Sequence, residues 1–240
     1  MADTQIFVAQ KMKNEKLFQD LKKRNETLEK QNSILAKRIE DSTRNLTQLY
    51  EDLHSTYIRT IKSLAQAIEA KDRYTHSHSE KVTEYAIAIG NELGLSAAEL
   101  EVIKEACELH DLGKIGIEDS ILNKPGSLTA QEWEQIKKHP IIGAQILEPL
   151  TFLSDVVDLI RQHHEHYNGS GYPDGRAGED ILLGARIIHL ADAYEAMRSI
   201  RAYRKEPFTK EETILEIKRN SGKQFDPKVV EAFLRIVDRL

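Results

Sequence analysis

Apolar residues recur every seven positions near the start of the chain. Leu21, Leu28, Leu35, Ser42 and Leu49 form one register, and Asn25, Asn32, Ile39, Leu46 and Leu53 form the other. Charged residues fill the intervals, and neither proline nor glycine interrupts from about Lys11 to Ala70. This spacing predicts one long helix bearing a coiled-coil seam. Asparagine at two a positions weakens the seam but pairs best with itself in a parallel two-stranded coil, and Arg24 at g and Glu29 at the following e would pair across it. The expectation is a parallel homodimer over residues 1–55. After Leu53 the apolar face widens through Ile58, Ile61, Leu64, Ala65 and Ile68, so the same helix is expected to run into a globular domain over residues 56–240.

Beyond that helix the period is 3.6, and punctuation residues divide the chain. The polar stretch from Asp72 to Ser77 should break or turn it. A helix from about Ser79 to Leu93 should stop at Gly94. Ser96 with Glu99 forms a capping box for a helix that closes on His110-Asp111, with Gly113 as its stop. Lys114 to Ser127 reads as a loop, Thr129 with Glu132 opens a helix reaching His139, and Pro140 can start the next. Leu153 to Tyr167 reads as helical, Asn168 to Glu179 as a glycine-rich irregular stretch, and Ile181 to Met197 as an apolar helix. Thr209 with Glu212 caps a further helix, and Asp226-Pro227 caps the last. No alternating pattern of strands stands out, so the predicted class is all-α, a helical bundle behind a long N-terminal helix.

Composition narrows the function classes. A 240-residue chain with 40% hydrophobic content can bury a core. No apolar run approaches the roughly 20 residues needed to cross a bilayer, and no secretory signal is evident, so cytoplasmic residence is expected. The single cysteine, Cys107, agrees with a reducing compartment and reads as a buried small hydrophobe. A net charge of −5 offers no basic footprint for duplex nucleic acid.

The remaining polar oddities stand at helix ends. His78 opens one helix, His110 and Asp111 close a second, His139 lies at a junction, His163 and His164 close a third, and Asp192 lies inside an apolar fourth. Side chains so placed can converge in a bundle. An unpaired carboxylate among the apolar neighbours of Asp192 would cost several kcal/mol, so it calls for a cation. Five imidazoles and two carboxylates would fill two octahedral metals if Asp111 bridges them and water completes the shells. Nitrogen-rich donors favour iron or manganese, admit zinc, and disfavour magnesium or calcium. Taken singly, each histidine has a plain structural alternative, and His54, His76, His166 and His189 are read as structural or solvated.

His110-Asp111 with Gly113-Lys114, then His163-His164-Glu165, then Gly169-Ser170-Gly171-Tyr172-Pro173, resembles the HD-GYP family of HD-type metal-dependent phosphohydrolases, over about Asp72 to Phe233. The resemblance implies a bacterial cyclic di-GMP phosphodiesterase yielding pGpG and often GMP. It implies a metal pair, usually iron, on His78, His110, Asp111, His139, His163, His164 and Asp192. Lys114 matches the family's phosphate-contacting lysine, Arg201 and Arg204 match its phosphate-binding basic pair, and Gly171, Tyr172 and Pro173 match a loop of the substrate pocket. Glu195 stands where the family often has Asp, a longer arm in a role behind the metal ligands, Ala202 replaces a proline between the two arginines, and Leu182 or Leu183 replaces another before Gly184. Tyr74 occupies the place where some members carry a third-metal glutamate, so two metals are expected.

From the residues themselves, two metals about 3.5 to 4 Å apart would share a hydroxide for in-line attack on phosphorus. The site would remain cationic and draw in a phosphodiester. Asp111 and Lys114 are then the catalytic pair, with Lys114 offsetting charge on the phosphoryl oxygens. Arg201 and Arg204 could grip a second phosphate. Tyr172 is either an aromatic surface for a guanine or the anchor of its turn. Two other readings stand beside this one: an HD-type phosphohydrolase acting on another nucleotide, and a non-catalytic module, since HD-GYP domains also bind diguanylate cyclase domains.

Overall fold

The computed structural model describes residues 2–69, 78–199 and 206–240. The expected break at Asp72 to Ser77, with Tyr74 and His76 inside it, lies outside the described residues, as do Arg201, Ala202 and Arg204. The chain divides into two compact units, Met1–Ile58 and Arg59–Leu240.

Helix α1 spans Ala2–Glu69. In the first unit its seam residues are exposed, Leu28 at 55% and Leu35 at 56% among them. Asn25 donates to Glu29 along the same helix, 3.2 Å away. Among the described residues no helix is long and apolar enough to cross a membrane.

The second unit is built from helices, with isolated bridges at Asn168–Ala177 and Ser221–Phe225 as its only sheet-like pairings among the described residues. Helix α2 is His78–Glu92, and α3 is Ala97–Leu109. The short α4, Asp119–Leu122, is followed by α5, Ala130–Ile136, and α6, His139–Leu147. Then come α7, Ser154–Gln162, α8, Leu183–Arg198, α9, Lys210–Arg219, and α10, Pro227–Ile236. Helix α8 is central. It buries residues on every side, Ala185, Ile188, Leu190 and Tyr194 among them, and packs on α2, α3, α7, α9 and α10. Such an all-round apolar helix belongs in a core, where Ile89, Leu109, Ile160 and Phe233 are fully buried.

The capping boxes form as the sequence predicts. Ser96, Thr129 and Thr209 each accept from the backbone three residues on while Glu99, Glu132 and Glu212 reach back. Asp226 caps α10, and Gly94 ends its helix at φ +78°.

Four boundaries differ from expectation. The stretch from Lys114 is not simply a loop, because a 3-10 turn, Leu112–Gly116, and α4 occupy part of it. Helix α5 stops at Ile136, so His139 begins α6 rather than ending α5. Helix α7 stops at Gln162, short of Tyr167. Gly113 does not stop α3, which has already ended at Leu109. Its hydrogen is needed for another reason. A Cβ there would lie 1.9 Å from the carbonyl oxygen of His139 and 2.5 Å from the nitrogen of Gly143. Only glycine lets the 3-10 turn approach α6 that closely, and this approach brings Asp111 near His139.

Candidate metal centre

The helix ends carry the side chains to one place. His78 is the first residue of α2, His110 caps α3 and Asp111 follows it, His139 is the first residue of α6, and His163 and His164 follow α7. Asp192 comes from the middle of α8.

Two trios result. Donor atoms of His139, His163 and His164 lie within 4.8 Å of one another, as do those of His78, His110 and Asp192. Asp111 stands between them. One of its oxygens is 3.6 Å from Nε2 of His139 and the other is 3.5 Å from Nε2 of His110. The Lys114 ammonium, one turn on, is 2.6 Å from the oxygen that faces His110.

The far nitrogens of three of the rings are committed to backbone carbonyls. Nδ1 of His110, His139 and His163 donates to the carbonyl three residues earlier, at Cys107, Ile136 and Ile160, over 2.7, 2.8 and 2.6 Å. A carbonyl can only accept, so the proton stays on Nδ1 and the Nε2 lone pair points inward. Nε2 of His139 and Nε2 of His163 then face each other at 3.3 Å. Two lone pairs at that distance repel unless a cation lies between or beside them. A divalent, nitrogen-preferring metal fits this donor set. His78 has Nδ1 against Glu195 and Nε2 at 3.1 Å from Asp192. Glu195 thus lies against a candidate ligand, where its longer arm can orient the ring, the supporting place that the resemblance implies for it.

Burial and neighbours set the charges. Burial opposes charge on His78, but its hydrogen bonds to the Asp192 and Glu195 carboxylates outweigh it and push the pKa up to about 9. Burial pulls His139 down to about 4. Burial, reinforced by neighbouring rings, also holds His163 and His164 well below the usual range. For Asp111 burial favours protonation, yet Lys114, His110 and His139 overcome it and keep the carboxyl well below its ordinary value. Asp192 is held low against its burial by His78.

These shifts give the metal-free protein a defined pH response. His139 is neutral when folded but has an ordinary value of 6.5 when unfolded, so its contribution is intact above about 6.5 and is lost as pH falls towards 4. His78 shifts the other way, so its contribution is intact below about 6.5 and is lost as pH rises through 9. Each shift corresponds to about 3 kcal/mol. The melting temperature of chelator-treated protein is therefore expected to peak between about pH 6 and 7 and to fall on both sides. A melting temperature flat from about pH 5 to 8 would contradict this charge assignment.

The loop after α7 covers one side of the centre. The Tyr172 ring lies 4.8 Å from the His164 ring at 31°, and its backbone N–H donates to the His164 carbonyl over 3.1 Å. Both sequence-based options for Tyr172 therefore keep support, since its backbone is anchored and its ring lies against a candidate ligand. Cys107 is fully buried and its thiol is pushed up by burial, as expected of a core residue. His189 is buried too, and its Nδ1 donates to the His163 carbonyl over 2.8 Å. Glu165 is a residue that sequence reasoning left without a role. Only its place directly after the two histidines could have flagged it.

The family model described as HD domain matches residues 62–229. A 3'3'-cGAMP-specific phosphodiesterase of Vibrio cholerae is 39% identical over 188 residues, covering 78% of this chain and 36% of that protein. A cyclic di-GMP phosphodiesterase response regulator of Xanthomonas campestris is 42% identical over 178 residues, covering 73% of this chain and 47% of that protein. The chain thus spans less than half the length of these two curated relatives. Among solved structures, a cyclic GMP-AMP specific phosphodiesterase of V. cholerae superposes with a TM-score of 0.59 at 26% identity, over 75% of this chain and 48% of that one.

Proposed function

Because the chain belongs to the HD domain family, we propose that it hydrolyses a cyclic dinucleotide, cyclic di-GMP in the first instance, to pGpG and/or GMP. The observation that carries the reading is the placement of Asp111, whose two oxygens face two separate trios of candidate ligands.

His139, His163 and His164 would hold one metal ion, and His78, His110 and Asp192 the other, with Asp111 shared. Iron is the metal this donor set favours, with manganese as the alternative. When bound, such a pair supplies positive charge to a phosphoryl oxygen and acidifies a water for attack. Asp111 fixes the separation of the two halves of the centre. Lys114, held by Asp111, keeps an ammonium where charge builds on the phosphoryl oxygens. Gly171, Tyr172 and Pro173 form one wall of the substrate pocket. Arg201 and Arg204, outside the described residues, are proposed to grip the second phosphate.

One relative is named for 3'3'-cGAMP and the other for cyclic di-GMP, so the identity of the second base is the open choice. Incubating iron-loaded protein with each dinucleotide and separating products by chromatography tests the reading. Linear dinucleotide or mononucleotide should accumulate from at least one of them. Absence of both products, together with binding of a diguanylate cyclase domain, would replace the reading with that of an interaction module. The exposed seam of α1 supports a parallel homodimer as the assembly, and residence in the cytoplasm is proposed with it.

A further inference from the structure

Glu165 directly follows the paired histidines, is only 1% exposed, and belongs to neither trio of candidate ligands. Its Oε1 accepts from the backbone N–H of Asp174 at 2.7 Å and of Gly175 at 3.0 Å. Its Oε2 is buried with no hydrogen-bond partner. Burial raises the pKa of the Glu165 carboxyl above its ordinary value, and an acidic side chain buried with one oxygen lacking a partner is unfavourable for stability alone, so its place here points to a task other than stability.

The loop it holds carries Tyr172. Three ties bind that loop to the end of α7. Arg161 grips the Asp174 carboxylate through two bonds of 2.8 and 2.7 Å, the Tyr172 N–H reaches the His164 carbonyl, and Glu165 takes two successive loop amides. Gly171 makes the approach feasible, because a Cβ there would stand 2.1 Å from the nitrogen of His166. Arg161 and Asp174 are partly exposed, and exposed pairs hold geometry weakly. The buried carboxylate is the stiff member of the set.

We propose that Glu165 is a positioning residue for substrate: by fixing the Asp174 and Gly175 amides it locks the Tyr172 ring over the His164 ring, and so sets the pocket wall relative to the metal centre. The proposal rests on the proposed function, in which the Tyr172 loop lines the dinucleotide pocket. Glu165 touches neither the metals nor the reacting atoms, so its loss should weaken use of a large, shape-dependent substrate and spare a small diester that needs only the metal centre.

The test compares the metal-loaded 240-residue chain with its Glu165→Ala and Glu165→Gln variants. Turnover of cyclic di-GMP is measured beside turnover of bis(4-nitrophenyl) phosphate, together with metal content and the exchange rates of the Asp174 and Gly175 amides by NMR. Glu165→Ala should raise KM for the dinucleotide about tenfold or more, since small misplacements are costly in preorganised sites. The small-diester rate and metal content should change by less than about twofold, and both amides should exchange faster. Glu165→Gln keeps an acceptor oxygen and should restore most of the loss. Parallel losses on both substrates, or lost metal, would reduce Glu165 to a general structural support and overturn the proposal; so would unchanged KM. If the wild type turns over the small diester but neither cyclic dinucleotide, the proposed function has failed. The clamp is then judged by exchange alone: faster exchange with intact small-diester turnover supports it, and unchanged exchange overturns it.

Discussion

Replacing Asp111 with alanine is expected to lower turnover about a thousandfold or more, on the order of 4 kcal/mol of transition-state stabilisation, and to strip metal from the protein. The reason is its double placement. Every other candidate ligand belongs to one trio, whereas the oxygens of Asp111 approach His110 on one side and His139 on the other, at 3.5 and 3.6 Å. Removing it deletes a donor from each half and takes negative charge from a position 2.6 Å from the Lys114 ammonium, which adds repulsion against any cation brought in. Asp111→Asn makes the sharper comparison. It conserves volume and one oxygen but loses the negative charge, so metal content should drop even though the fold is kept. Elemental analysis and product chromatography on the same preparation check both. Full turnover with two metals per chain in either variant would refute the shared-ligand assignment.

The second large effect is expected at the other end of the chain. Leu28→Asp with Leu35→Asp should convert a dimer into monomers. Both leucines are more than half exposed along α1, an unfavourable arrangement for a seam of this length unless a partner helix covers it. Burying a leucine contributes about 2 kcal/mol. Two per chain, four per dimer, then amount to about 8 kcal/mol, on the order of a millionfold in the dissociation constant, before the repulsion of four carboxylates is added. Sedimentation equilibrium of the wild type should give twice the chain mass, and the double variant the chain mass. Lys30→Ala, on the outer face of the same heptad, should leave the dimer unchanged. A wild type that sediments as a monomer, or a double variant of undiminished mass, would remove the coiled coil from the account.

Much of the centre was legible in order along the chain. His78, His110, His139 and the His163-His164 pair were singled out because they fall at helix ends, and the structure places them there. Asp192 was legible because a carboxylate in an apolar helix needs a reason. The companions of these residues were not legible. Glu195 was marked only through the family resemblance, and that its partner is His78, 117 positions away, no local pattern announces. The carbonyls of Cys107, Ile136 and Ile160 that set the ring tautomers carry no sequence signal, since every residue has one.

The distinction follows range. Capping boxes at Ser96, Thr129 and Thr209, the turn at Gly94 and the seven-residue period of α1 depend on neighbours within one or two helical turns, and those neighbours are adjacent in the text of the chain. Whether Gly113 ends a helix or lets two segments touch depends on His139 and Gly143, which come near only after the bundle packs. The same holds for Glu165, whose contacts are two amides folded back over it. Local hydrogen bonding wrote the helices; long-range packing brought two trios of donors to either side of a single carboxylate.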